Sequence, residues 1–458
     1  METRIDIIGA GLAGSEAALQ LAARGIAVRL FEMRPDQPTA VHRTEKCAEL
    51  VCSNSLKGTK PESAAGMLKS EMRAVGSELL AIALRHRVAA GGALAVDRQA
   101  FADEVTACIE AHPRIELVRS EVTDFDTGAD AVIVASGPLT SEGLASALSG
   151  ITGEEHLAFF DAAAPIVMAD SLDRGALFRQ SRYEEEAPGD YLNAPFTKEG
   201  YQAFIEALVG AERVVKRDFE TRDLFQACQP IEETARKGID APRYGALKPV
   251  GLIDPRTGRR PWAVLQLRAE DARASSYNLV GFQTNLTFPE QQRVFRMVPG
   301  LERAEFARFG VMHRNTFINA PQLLDRTLRL KPGGCFGPVP LPGVPIFVAG
   351  QLSGTEGYCE AIMSGLVAAL AAYALVSGRE MPELPQEMAF GALLAYATDP
   401  QTRDYQPMHV NFGLLPGLDV PVRDKKERYR AFAQRGEAAT DRLVVRLILS
   451  GLMRDGRR

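Results

Sequence analysis

Cysteine is scarce: there are six in 458 residues, with no C-x-x-C pair and no zinc-type spacing. This excludes a disulfide scaffold and a zinc finger, and a reducing cytosol is the expected setting. Long apolar runs are also lacking. The longest, Leu366 to Val376, is far short of the ~20 residues that cross a bilayer, so no membrane contact is expected. Nor does one sign of charge dominate. The net charge is -5, with 24% charged and 46% hydrophobic residues. That is an ordinary globular composition, and the length implies two or three domains. Any nucleic acid must therefore meet a local basic patch. The opening "METRIDIIGAG" enters a strand at once, without signal-peptide architecture, and a cytoplasmic protein is expected. No metal site is expected.

What is present begins with "RIDIIGAGLAGSEAALQLAARGIAVRLFEMR". Arg4 to Ile8 read as a buried strand, Leu12 to Ala23 as an Ala-rich helix, and Ala27 to Phe31 as a second strand ending at Glu32. Gly9, Gly11 and Gly14 form G-x-G-x-x-G between the first strand and the helix. Gly9 allows the tight turn, Gly11 lets a pyrophosphate approach, and Gly14 lets the helix pack on the strand. The helix N-terminus offers N–H groups to phosphate. Glu32, about 20 residues further on, suits ribose hydroxyls. "DAVIVASGP" reads as another buried strand. "PIFVAGQLSGTEGYCEAIMSGLVAAL" reads as a late strand, a glycine-rich loop (Gly350, Gly354, Glu356, Gly357, Tyr358) and a long helix starting near Thr355. A late strand–loop–helix that rejoins the first sheet tips the choice from NAD to FAD. The helix N-terminus then faces the flavin. No second complete fingerprint exists for a nicotinamide cofactor.

The expected fold is α/β: a Rossmann-type FAD-binding domain with an inserted α/β substrate domain. Residues 1–156 form the first part of the FAD-binding domain and 157–330 the insertion. Residues 331–420 form its second part, and 421–458 a basic helical C-terminal extension. Helices are expected over Ser63 to Val88, Asp97 to Ala111 and near Lys198 to Val209. Residues 231–300 carry eleven Lys/Arg against seven Asp/Glu, and 423–458 eleven against five. Such segments are either solvated surface or RNA-docking patches.

Three thiols invite chemistry. Cys47 and Cys52 stand as C-x-x-x-x-C after the βαβ unit, as in flavin disulfide reductases. Those enzymes also need a second dinucleotide domain and a C-terminal His–Glu pair. His409 in "MHVNFGLL" has no acid at the next turn. Cys52 in "LVCSNSLKG" lies among polar neighbours, whereas Cys108 fits helical filler. Cys228, in "LFQACQPIEE", ends an apolar run beside Pro230, Glu232 and Glu233. It is either filler or a nucleophile needing activation by arginine or a helix N-terminus.

The stretches "IGAGLAGSEAA", "ELVCSNSLK", "GGALAVDR", "SGPLTSE", "DAAAPIV", "PIEE", "KPVGL", "YNLVGFQT", "GVMHRNTFIN" and "GTEGY" closely resemble the folate- and FAD-dependent tRNA uracil-5-methyltransferases. The resemblance runs to about residue 380. It implies that NAD(P)H (NADH or NADPH) reduces FAD, that 5,10-methylenetetrahydrofolate supplies a one-carbon unit, and that the T-loop uridine of tRNA receives it at C5. It makes Cys228 the thiol that adds to uracil C6 and Cys52 the second functional thiol, near the flavin. The resemblance also implies that Tyr358 lies near the flavin and that His313 and Arg314 are folate candidates. His313 reads equally as a hydrogen-bonded structural histidine. Arg256, Arg259 and Arg260 are candidates for the RNA backbone. The alternatives are an FAD-dependent disulfide oxidoreductase without RNA substrate and a non-catalytic RNA-binding flavoprotein.

Overall fold

A computed structural model describes the chain except residues 1, 40, 154–156, 183–188, 215–228, 333–336, 338, 340–342, 404 and 455–458. Of 157–161, 313 and 314 it describes the backbone only. Five parallel strands lie in the order Ile346–Val348, Ala131–Val134, Arg4–Ile8, Ala27–Glu32, Ile115–Arg119. Ile5, Ile7 and Val132 to Val134 are wholly buried. Unbroken apolar runs of this kind suit a parallel sheet covered on both faces. The late strand Ile346–Val348 pairs with Ala131–Val134, so distant parts of the chain close one sheet.

Two helices meet over this sheet. Leu12–Ala23 packs against Tyr358–Val376. Glycine allows the contact: a Cβ on Gly365 would come 2.1 Å from the Ala13 carbonyl oxygen. The later helix has the length and composition of a membrane span, but 83% of its apolar window is buried within the protein. It starts at Tyr358 rather than near Thr355. Gly354 and Gly357 hold φ of +79° and +115° just before it, which a helix cannot include. The run Ser63 to Val88 divides into Ala64–Ala74 and Glu78–Arg85, capped by Ser63 and Ser77. Gly76, at φ +77°, breaks it. Asp97 caps the helix Arg98–Glu110.

The intervening chain builds a six-stranded antiparallel sheet in the order Phe178–Arg179, Leu192–Phe196, Ala263–Ala269, Ser276–Leu279, Ile166–Met168, Phe306–Arg308. Helices Lys198–Gly210 and Phe288–Phe295 cover it. Phe196, Phe204, Phe282 and Phe295 stack through its core. Between the two sheets, Met312–Phe317 pairs with Leu157–Ala162. This ribbon is tied to the parallel sheet by Thr316 N–H donating to the Pro138 carbonyl (3.0 Å). The helix Lys425–Leu449 is docked: it buries Phe432, Ala439 and Leu443, and Gly436 faces Met67.

Candidate cofactor cavity and active site

A cavity of about 360 Å³ opens where the first strand turns into the first helix. Gly9, at φ +103°, lies so close to Ala135 that a Cβ would come 2.6 Å from its carbonyl oxygen. A Cβ on Gly14 would come 1.9 Å from the Gly9 carbonyl oxygen. Gly11 differs, since its Cβ direction meets nothing within 4 Å and it lines the cavity. No side chain caps the helix at Gly11, which leaves its N-terminal N–H groups and positive dipole end open to an anion. This cradle fits a dinucleotide pyrophosphate.

Glu32 lines the same wall and is 6% exposed. Its Oε2 accepts from Ala10 N–H (3.1 Å), and its Oε1 from Arg34 N–H and Nε (3.1 and 2.8 Å). Burial alone raises its pKa, but the Arg34 guanidinium more than offsets this and holds it below the usual carboxylate range. Oε1 accepts twice, whereas Oε2 accepts once and keeps a lone pair for a ribose hydroxyl. His42, beside this pair, is pushed down to about 4 by burial and the Arg34 charge, and is neutral at physiological pH.

Another part of the wall joins Cys52, Ser53, Lys57, Gly357 and Tyr358. The Tyr358 hydroxyl accepts from the backbone N–H groups of Cys52 (2.9 Å) and Ser53 (3.1 Å). Burial, then the neighbouring Cys52, push its pKa up. Behind this loop the antiparallel sheet docks. Arg268 donates to Asn54 Oδ1 (2.7 Å), Asn54 donates to the Ala269 carbonyl (3.0 Å), and Arg98 pairs with Glu270 (2.6 Å). Gln283, from the turn after Ser276–Leu279, also reaches the cavity wall.

Of the sequence-derived cofactor residues, Gly350, Glu356, Gly357 and Tyr358 share the cavity with Gly9, Gly11 and Glu32. Gly354 lies off it, where a Cβ would come 2.0 Å from the Tyr405 hydroxyl. Gly14 is likewise a packing residue. Cys228 lies outside the described residues. The chain resumes at Gln229, and Ile231 N–H donates to the Gln283 carbonyl (2.8 Å). His313 and Arg314 sit on the ribbon, opposite Asp161 and Phe160. Arg256 is engaged by Asp254 (2.8 Å) and the Gly175 carbonyl (2.9 Å), while Arg259 and Arg260 are exposed. Cys47 is fully buried and unbridged, and burial pushes its thiol up to about 11. That disfavours a Cys47–Cys52 redox pair.

Sequence reading missed Lys57, Arg98, Gln283 and Glu360. Lys57 adopts φ +66°, uncommon for a non-glycine residue. Its ammonium lies 3.6 Å from Glu360, which is 1% exposed. The only signal for Lys57 was its place in "CSNSLKG". Among the described residues no cluster of three His, Cys, Asp or Glu is placed to hold a metal ion.

The family described as Glucose inhibited division protein A matches residues 4–380. A protein of Symbiobacterium thermophilum named methylenetetrahydrofolate--tRNA-(uracil-5-)-methyltransferase TrmFO is 52% identical, over 95% of both chains. A Geobacter sulfurreducens protein of the same name is also 52% identical, over 96% of this chain and 99% of its own. Among solved structures, Aquifex aeolicus GidA covers 100% of this chain and 74% of its own, with a TM-score of 0.69 at 18% identity. That likeness concerns the fold. Sequence and architecture agree, and the chain belongs to the Glucose inhibited division protein A family and, at about half identity over nearly its whole length, to the TrmFO proteins.

Proposed function

We propose that this chain methylates C5 of a uracil in tRNA, drawing the one-carbon unit from 5,10-methylenetetrahydrofolate. In this reading FAD fills the cavity at Gly11, NADH or NADPH is the reductant, the target is the T-loop uridine, and the compartment is the cytoplasm. The observation that carries it is Gln283. This residue, in the loop that follows the strand Ser276–Leu279, lines the dinucleotide cavity and anchors Ile231, three positions beyond Cys228.

When bound, the flavin supplies a carrier for the one-carbon unit. The chain's own residues do the rest. The Gly9–Gly14 turn and the helix N-terminus hold the pyrophosphate, and Glu32 the ribose. Tyr358 fixes the Cys52 loop through two N–H donors. Uracil C5 is a poor nucleophile, and addition of the Cys228 thiolate at C6 makes it electron-rich. The T-loop uridine is stacked in folded tRNA, so it must leave the stack before a thiol reaches it.

The test is incorporation of label from [methylene-14C]methylenetetrahydrofolate into tRNA by FAD-loaded protein and NAD(P)H. Label in 5-methyluridine is expected, and Cys228→Ala should abolish it while FAD stays bound. An FAD-bound, folded protein that transfers no label, or an active Cys228→Ala variant, overturns the reading.

A further inference from the structure

We propose that Arg98 and Arg308 hold Cys52 as a thiolate facing the cavity, making them positioning residues for the thiol's charge state. Cys52 is partly exposed and on the cavity wall. Guanidiniums grip the chain on both sides of it. Arg98 Nη1 donates to the Leu50 carbonyl (2.7 Å), and Arg268 Nη2 donates to Ser53 Oγ (3.2 Å). Arg308, on the edge strand Phe306–Arg308, donates to the Val41 carbonyl (3.1 Å). Its Nε is buried without a hydrogen-bond partner.

The charge count is unbalanced. The charged and titratable groups around this loop are Arg98, Arg268, Arg308 and Arg43, with the carboxylate of Glu270 and the phenols of Tyr358 and Tyr191; Glu49 and Glu360, on the same cavity wall, are paired with Arg34 and Lys57. Glu270 is bonded to Arg98. No ion pair joins Arg308 to a carboxylate among the described residues. Burial and the neighbouring Arg98 push Arg308 below the usual guanidinium value, which is how an uncompensated cation behaves. Buried cations without counter-ions are costly, and an anion among them relieves that cost. Cys52 is within electrostatic reach of both Arg98 and Arg308. A partly exposed thiol in an electropositive setting is the pattern of reactive cysteines. Cys47 and Cys359 are buried, and among the described thiols only Cys52 and Cys359 line the cavity, so Cys52 is the partly exposed thiol on its wall.

The inference rests on the proposed reaction only for what the thiolate is used for. Its test is peptide-resolved alkylation of the full-length FAD-bound protein by iodoacetamide across pH. Wild type should show a Cys52 midpoint at least about one pH unit below the ordinary thiol value of ~8.5. Arg308→Met should raise that midpoint by about one unit, an approximately tenfold slower alkylation at neutral pH, and Arg308→Lys should largely restore it. A wild-type midpoint at or above the ordinary value, no modification at any pH, or a folded Arg308→Met with an unchanged midpoint each overturns the inference. If Arg308→Met does not fold, the wild-type midpoint decides. A protein that methylates tRNA with an ordinary Cys52 sinks this inference alone, whereas a low midpoint without methyl transfer sinks the proposed reaction alone.

Discussion

Glu71 is 1% exposed, yet its carboxylate accepts from the backbone N–H groups of Ala389 (2.6 Å) and Phe390 (3.1 Å) at the start of the helix Ala389–Thr398. Burial outweighs these bonds and pushes its pKa up to about 7. The folded state therefore binds this proton more tightly than the unfolded chain. The contribution is fully present below the unfolded value of 4.5 and is lost as pH rises through about 7. Glu71→Gln removes that dependence. Relative to wild type, the variant should gain stability between pH 5 and pH 8 in urea titrations, whatever its offset at pH 5. A difference that stays flat or falls with pH refutes the assignment. The residues legible in the sequence were those whose role is local: Gly9, Gly11 and Glu32 belong to one contiguous fingerprint. Arg98, Arg308 and Lys57 were not legible, because their partners are remote. The contact of Arg98 with Glu270 spans 172 positions and that of Tyr358 with Cys52 spans 306.

At the scale of elements, the helix pair Leu12–Ala23 and Tyr358–Val376 decides whether the cavity keeps its shape. The Cβ of Gly365→Ala would meet backbone of the facing helix at Ala13, and backbone cannot rotate away. Forced separation of this kind costs about 1–3 kcal/mol. Ala13 and Tyr358 both line the cavity, so Gly365→Ala should weaken FAD binding as well as lower the urea midpoint. FAD fluorescence titration separates the two, and unchanged affinity would count against the helix pair as a cofactor support. Both helices were visible in sequence as apolar runs. Their contact was not, because a helix apolar all round does not announce which face meets which neighbour. The split of Ser63 to Val88 into two helices could have been read from Gly76.

For the whole molecule, what matters is how the antiparallel sheet is held to the parallel one. The Arg98–Glu270 pair is 16% and 8% exposed. Glu270→Gln would leave a buried guanidinium without its counter-ion, at a cost of roughly 3–5 kcal/mol. The expected result is earlier loss of the docked arrangement, detected as raised hydrogen exchange at residues 263–269 and 50–54. Equal protection in both proteins would show that Asn54 and Arg268 suffice. For tRNA, Arg259 and Arg260 are the better probes, since Arg256 is committed to Asp254. The double reversal Arg259→Glu/Arg260→Glu should weaken binding and reduce the slope of log affinity against log salt by about 2. An unchanged slope would move the RNA contact elsewhere. The alternation of sheet types was legible only as a change of pattern after residue 157. Strand pairing across the insertion depends on contacts that no local period encodes.

The cofactor cradle is assembled from both ends of the chain, Arg4–Ile8 beside Ala131–Val134 and that beside Ile346–Val348. During translation, a ribosome that has released only the first 340 residues presents a turn for the pyrophosphate, but neither the late strand Ile346–Val348 nor the helix Tyr358–Val376 that closes over it. The antiparallel sheet, whose strands all lie between 166 and 308, is free to condense first. Capture of the vitamin-derived coenzyme is thereby deferred to late synthesis, so a prematurely truncated product would leave the ribosome unable to retain it.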